Sequence, residues 1–161
     1  MATRHRGAPG FNPARLADAR HAAGLRQEDL AVSIGARRLY VTNLERGAIA
    51  PSPPRLKALA DVLNVHPLWL LDAESEPTLV QLRFAAGLYQ REAATALNIS
   101  DAYLARLEMG LRDYPEKLVC HTPPVYLCTQ ATVQSAISNT KKFSSKTTGP
   151  SGQPEIHPKG H

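Results

Sequence analysis

A chain of 161 residues with 6% aromatics, abundant Ala and Leu and a net charge of +5 holds one domain or two small ones, neither with a large core. No apolar run approaches the roughly 20 residues of a membrane span, and no apolar segment follows the basic start MATRHRGAPG, so neither a membrane protein nor a secreted one is expected, but a cytoplasmic, mainly helical one. The basic excess favours polyanions and sits early: residues 1–71 hold 10 Lys/Arg against 5 Asp/Glu, residues 72–112 hold 4 against 6, and the rest 5 against 3.

Residues 1–11 lack periodicity and read as a flexible basic arm carrying Arg4, His5 and Arg6. Asn12 has the side chain of an N-cap and Pro13 fits the first helical position, where a missing N–H does no harm. Leu16, Ala19, Arg20 and Ala23 then recur at helical spacing until Gly24, which supplies a left-handed stop. A second helix is expected over residues 27–34, with Glu28 and Asp29 in its first turn where the helix dipole favours acids, and Leu30, Ala31 and Ile34 on its apolar face. Gly35 permits a sharp turn into a third helix over residues 37–46, with Val41 and Leu44 inward and Gly47 as its stop. A loop leads to Ser52 and Pro53 at the start of a fourth helix with the stripe Leu56, Leu59, Ala60 and Leu63, and His66 and Pro67 open a short fifth with Trp69.

Residues 73–77, AESEP, read as a linker, and after them the chain repeats. A shift of 63 positions aligns RHAAGLRQEDLAVSIGARRLYVTNLERG with RFAAGLYQREAATALNISDAYLARLEMG, residues 20–47 against 83–110. Eleven of the 28 pairs are identical without a gap, which chance does not produce, and a second, degenerate copy of the helical unit is expected over residues 78–119. Asn98 stands for Gly35 at its turn and Ser100 is its N-cap candidate.

That copy does not finish as the first does. Residues 113–119 can begin a fourth helix, but Cys120, His121, Thr122, Pro123 and Pro124 interrupt the apolar rhythm, and the residues after Lys141 are polar. Residues 120–161 are therefore expected to form a largely disordered tail, with residues 125–137 as the one segment apolar enough to pack back as a missing helix. The change of composition after Val119 also suggests a shifted reading frame or a graft.

The expected third helix exposes Arg37, Arg38, Thr42, Asn43 and Arg46, groups that bond phosphates and base edges, on a helix held out by a turn as a DNA major groove requires. Arginine donates two parallel bonds to guanine and Asn pairs with adenine, each good bidentate contact being worth about 1–3 kcal/mol of discrimination. Leu39 offers a methyl surface to thymine.

The stretch GLRQEDLAVSIGARRLYVTNLERGAIAPSPPRLKALADVLNVHPLWLL resembles the phage-repressor and Cro type of helix-turn-helix domain, the XRE family, over residues 12–72 in full and 79–112 in part. The resemblance implies an all-α fold: a five-helix repressor-like bundle, then a partial second helix-turn-helix unit and the disordered tail. It implies that Gln27 binds a phosphate and buttresses the third helix, that Arg37, Arg38, Leu39 and Asn43 meet base edges or flanking phosphates, and that Thr42 and Arg46 edge that surface. Arg20 with Glu45, and Arg83 with Glu108, match the family's internal ion pair and are expected in the scaffold, as are Tyr40 and Tyr103 in packing. Trp69 closes the core, on a surface that in this family often mediates dimers. In the second copy Ser100, Asp101, Ala102 and Arg106 replace Arg37, Arg38, Leu39 and Asn43; Asp101 repels phosphate, while Gln90, Ser100 and Arg106 keep some capacity for DNA.

Cys120 and Cys128, with His121, lack the close paired spacing of zinc ligands, and free thiols are expected. With no phosphate loop, nucleophile elbow or carboxylate pair in view, neither an enzyme nor a metal or other cofactor is expected. The expected function is a sequence-specific, repressor-like transcriptional regulator of bacterial or phage type whose partner is double-stranded DNA. Two heads in one chain or a homodimer both satisfy that reading. The alternative is an antitoxin or adaptor that holds a protein partner through residues 78–140.

Overall fold

In the computed structural model, residues 7–73 and 76–147 are described, and among them the chain is all helical, with ten helices and no strand. The first five are α1 (Pro13–Ala22), α2 (Gln27–Ser33), α3 (Arg38–Glu45), α4 (Pro53–Leu63) and α5 (Pro67–Leu70). Asn12 caps α1 as its sequence suggests, its Oδ1 accepting from the amides of Ala14 and Arg15 at 3.1 and 3.2 Å. Leu16, Leu30, Val41, Leu44, Leu56, Leu59 and Ala60 all converge, fully buried, on one core. Arg37 and Arg46 are the caps of α3 and not part of it, so the third helix is one residue shorter at each end than its sequence suggests.

The second five are α6 (Leu79–Ala85), α7 (Gln90–Ala96), α8 (Asp101–Glu108), α9 (Glu116–Tyr126) and α10 (Gln130–Thr147). The bounds of α7, α8 and α9 are those of α2, α3 and α4 displaced by 63 residues, and α10 starts 63 residues after α5. The repeat visible in the sequence to Gly110 therefore continues in the backbone through a complete second set of helices. Buried Val119, Thr122 and Tyr126 of α9 stand where α4 has Leu56, Leu59 and Leu63.

This corrects the expectation for residues 120–147. The fourth helix of the second unit is not interrupted at Cys120–Pro124 but runs on to Tyr126, with Pro123 and Pro124 inside it, and α10 then covers α6 and α9. Each proline removes one backbone donor, and the buried Thr122 beside them bonds back to Leu118 O of the same helix at 2.7 Å while its Oγ1 lies 2.5 Å from Tyr114 Oη outside it. Thr140 Oγ1 accepts from Leu79 N at 3.1 Å and Asn139 Nδ2 donates to Pro77 O at 3.3 Å, tying α10 to the start of α6.

Two other segments pack against the helices through their described residues. In the described part of the arm, Ala8 is buried and its amide donates to Pro51 O at 2.8 Å, while Gln81 Nε2 donates to Pro9 O at 3.2 Å. In the linker, Ala73 and Pro77 are buried. Helix α6 packs directly on α4 and α5, so the two units share one hydrophobic core. Residues 1–6 of the arm, 74–75 of the linker and 148–161 of the tail lie outside the described residues.

Candidate nucleic-acid interface

The turn between α2 and α3 is built from both sides. Gly35 adopts φ 62° with open space around its Cα, so backbone conformation and not crowding selects glycine; Asn98 takes φ 55° at the matching place of the second unit. Ala36 N donates to Ala31 O at 2.8 Å and closes the turn. From α4, Arg55 reaches across to donate to the carbonyls of Ile34 and Gly35, the latter at 3.3 Å, and its guanidinium lies 5.7 Å from the centre of the Tyr40 ring. Arg55 thereby satisfies carbonyls that the end of α2 leaves without helical partners. Sequence reasoning missed it, since an arginine beside the apolar stripe of α4 looks like solvated surface.

A hydrogen-bonded chain fixes the rotation of α3. The Arg20 guanidinium grips Glu45 with Nε at 2.5 Å from Oε1 and Nη2 at 3.1 Å from Oε2, and its Nη1 donates to Leu25 O at 2.8 Å. Gln27 Nε2 donates to Glu45 Oε2 at 2.7 Å, and Thr42 Oγ1 donates to Gln27 Oε1 at 3.0 Å. Burial pushes the Glu45 carboxyl up, but the hydrogen bonds from Arg20 and Gln27 outweigh it and hold the group below the usual carboxylate range. Helix α3 is thus locked to α1 and α2 at its C-terminal end by this chain and at its N-terminal end by the Arg55 clasp.

The locked helix presents Arg37, Arg38, Leu39 and Arg46 to solvent, with Thr42 and Asn43 half-buried between them. Leu39 is 66% exposed although it is a large apolar side chain at the start of a helix. A shallow depression of about 460 Å³ runs along this face, lined by Arg37, Leu39, Tyr40 and Asn43. Arg37, Arg38 and Arg46 form no ion pair with another described residue, so three full charges face outward. Tyr40 is half-buried under Arg55, and that burial raises its phenol above the ordinary range. Gln27 and Thr42, expected at the interface, have their polar atoms engaged in the chain that orients α3, which leaves Gln27 one N–H to offer.

The second unit keeps the scaffold and changes the face. Arg83 Nε lies 2.5 Å from Glu108 Oε1 and Nη2 3.1 Å from Oε2, and Gln90 Nε2 donates to Glu108 Oε2 at 3.0 Å, as Arg20, Gln27 and Glu45 do in the first unit. Ala105 stands in place of Thr42, so the chain ends at Gln90. Ser100 is spent on the amide of Tyr103 at 3.2 Å, and Asp101, Ala102 and Arg106 are exposed. The outward side chains of α8 carry one negative and one positive charge, against three positive charges at and beside α3.

Cys120 and Cys128 are free thiols, and burial pushes that of Cys128 up. Among the described residues no cluster of His, Cys, Asp or Glu is placed to hold a metal ion, and no helix is long and apolar enough to cross a membrane. The chain matches no curated protein and no solved structure. Residues 16–70 match the helix-turn-helix family model, which ends before α6, so the first unit carries a helix-turn-helix domain of the XRE/Cro/C1 type found in DNA-binding transcription regulators.

Proposed function

We propose that the chain is a repressor-like transcriptional regulator that reads duplex DNA by laying α3 of the first unit in the major groove. The observation that carries this reading is the combination of a rigidly held α3 with an outward face of Arg37, Arg38, Leu39 and Asn43. Side chains at the start of a recognition helix meet base edges, while flanking charges neutralise phosphates. Arg38 and Asn43 supply the bidentate donors and acceptors for guanine and adenine, Leu39 supplies contact to a thymine methyl, and Arg37 and Arg46 serve the backbone. Gln27 serves α3 first and a phosphate with its remaining N–H.

The second unit, α6 to α10, is a degenerate helix-turn-helix copy that has lost this reading surface. Gln90 and Arg106 give it at most a sequence-independent contact to phosphate. Selection of bound sites from random duplex DNA by the full chain tests the proposal. The wild type is expected to enrich a defined motif, and Arg38→Ala with Asn43→Ala to enrich none while keeping its helical content. Equal enrichment by both proteins would defeat the assignment.

A further inference from the structure

Positive charge has been moved between the two units as well as lost. At the places of Arg37, Arg38 and Arg46 the second unit has Ser100, Asp101 and Met109. The opposite change stands at the start of α7, where Arg91 takes the place of Glu28; apart from Arg106 for Asn43 it is the only gain of positive charge along the 28 aligned pairs. The preceding exchange puts Tyr89 in the place of Arg26, a residue that Asp29 holds at 3.0 Å in the first unit. Arg91 is exposed and forms no ion pair with another described residue.

The turn that carries these residues is seated on the reading unit. Gly87 opens it at φ 76°, and a Cβ there would stand 2.9 Å from Lys57 Cδ, so the turn lies against α4. Its backbone is fixed from both sides, Arg83 Nη1 donating to Leu88 O at 3.0 Å and Tyr89 N to Glu92 Oε2 at 2.8 Å, while Leu88 packs on the shared core. Burial raises the Tyr40 phenol most, Arg55 lowers it and Tyr89 raises it again, which makes the two phenols neighbours across the junction. The Arg55 guanidinium lies 5.7 Å from the centre of the Tyr40 ring. A band of aromatic and cationic side chains therefore leads from the start of α3 through Tyr40, Arg55 and Tyr89 to Arg91.

We propose that Arg91 and Tyr89 bind the phosphate backbone of the same duplex whose major groove α3 reads, beside the N-terminal end of α3. The contact rests on the DNA reading above. Each strand of a duplex presents a phosphate about every 3.4 Å, so a cation and a hydroxyl next to the base-reading end of α3 meet backbone that flanks the bases read. Side chains make the contact, since the Tyr89 amide is already taken by Glu92. Such a contact positions and carries no sequence information. The degenerate copy thereby lengthens the footprint of the first head.

The test is the salt dependence of binding by the full chain to its selected duplex and to random duplex, wild type against Arg91→Ala with Tyr89→Phe. Each neutralised phosphate adds about 0.9 to the slope of log affinity against log salt. The variant is expected to lose about that much slope and on the order of threefold to tenfold in affinity near 0.1 M salt. The loss should be the same on both duplexes, with unchanged helical content. Ethylation interference on the selected duplex should reveal phosphates whose modification blocks the wild type and not the variant. An unchanged slope, or an unchanged set of blocking phosphates, would overturn the proposal. A loss confined to the selected duplex would overturn it too, because these residues would then act on base reading. The ratio of selected to random affinity reports α3 and the salt slope reports Arg91, so a failure of the DNA reading and a failure of this contact are seen separately.

Discussion

Asn64 and Leu127 end α4 and α9 in the same left-handed conformation, φ 53° in each, 63 residues apart. The two side chains meet that conformation on unequal terms. Asn tolerates it through local hydrogen bonding, whereas a leucine Cβ crowds the following carbonyl at a cost of about 1–2 kcal/mol. The second unit has the helix bounds of the first at this place but a residue less suited to the turn.

Leu127→Asn should therefore stabilise the protein by about 1 kcal/mol, since Leu127 is 71% exposed and gives up little burial. Thermal unfolding checks this. A lower melting temperature in the variant would mean that Leu127 contributes contacts outweighing the strain.

Tyr126→Phe should also stabilise. Tyr126 takes the place of Leu63, is 3% exposed, and its hydroxyl has no hydrogen-bond partner among the described residues. Removing a buried, unsatisfied hydroxyl without changing the ring recovers about 1–2 kcal/mol. Urea unfolding of the two proteins decides it: a loss of stability in the variant would show that the hydroxyl is satisfied in solution.

These positions explain which parts of the molecule were legible in the sequence. The first unit was, because Leu16, Leu30, Leu44, Leu56 and Leu59 keep helical spacing between recognisable caps at Asn12, Gly24 and Gly47. The repeat was legible as far as the scaffold residues recur, from Arg83 through Gln90 to Glu108 and Gly110. Helices α9 and α10 were legible only in part, as the start of a fourth helix and an apolar segment able to pack back, because Thr122 and Tyr126 replace core leucines, Pro123 and Pro124 lie mid-helix and Leu127 occupies a turn that normally carries Gly or Asn. Their order comes from tertiary bonds such as Leu79 to Thr140, which leave no periodic trace. Arg55 was missed for a similar reason, its partners being carbonyls 20 and 21 residues away.

Glu45→Gln should cost about 3 kcal/mol at neutral pH, because it leaves the buried Arg20 guanidinium without its counter-charge. The folded-state carboxyl titrates below its ordinary range, so its stabilisation is fully present above that range and is lost as pH falls through the lowered value. The stability gap between wild type and variant should accordingly close on acidification. Denaturant titrations across the acid range measure this, and a gap independent of pH would show that the charge of Glu45 contributes nothing.

Arg55→Met should loosen the turn before α3 while keeping the apolar stem that packs over Tyr40. Loss of the charged donor to two carbonyls is expected to lower stability by about 1–2 kcal/mol and to weaken specific DNA binding more than non-specific binding. Competition binding against random duplex DNA separates the two effects; equal weakening of both would place Arg55 in phosphate contact instead of in support of α3.

The most direct measurement is equilibrium binding of the full chain to its selected duplex and to random duplex at one salt concentration, with matched substitutions in the two units. Arg38→Ala with Asn43→Ala in α3 should lower the ratio of specific to non-specific affinity by at least about tenfold, two lost base contacts at roughly 1–3 kcal/mol each. Asp101→Ala with Arg106→Ala, at the same places in α8, should leave that ratio nearly unchanged. An undiminished ratio in the α3 variant, or its collapse in the α8 variant, would contradict the assignment of DNA reading to the first unit.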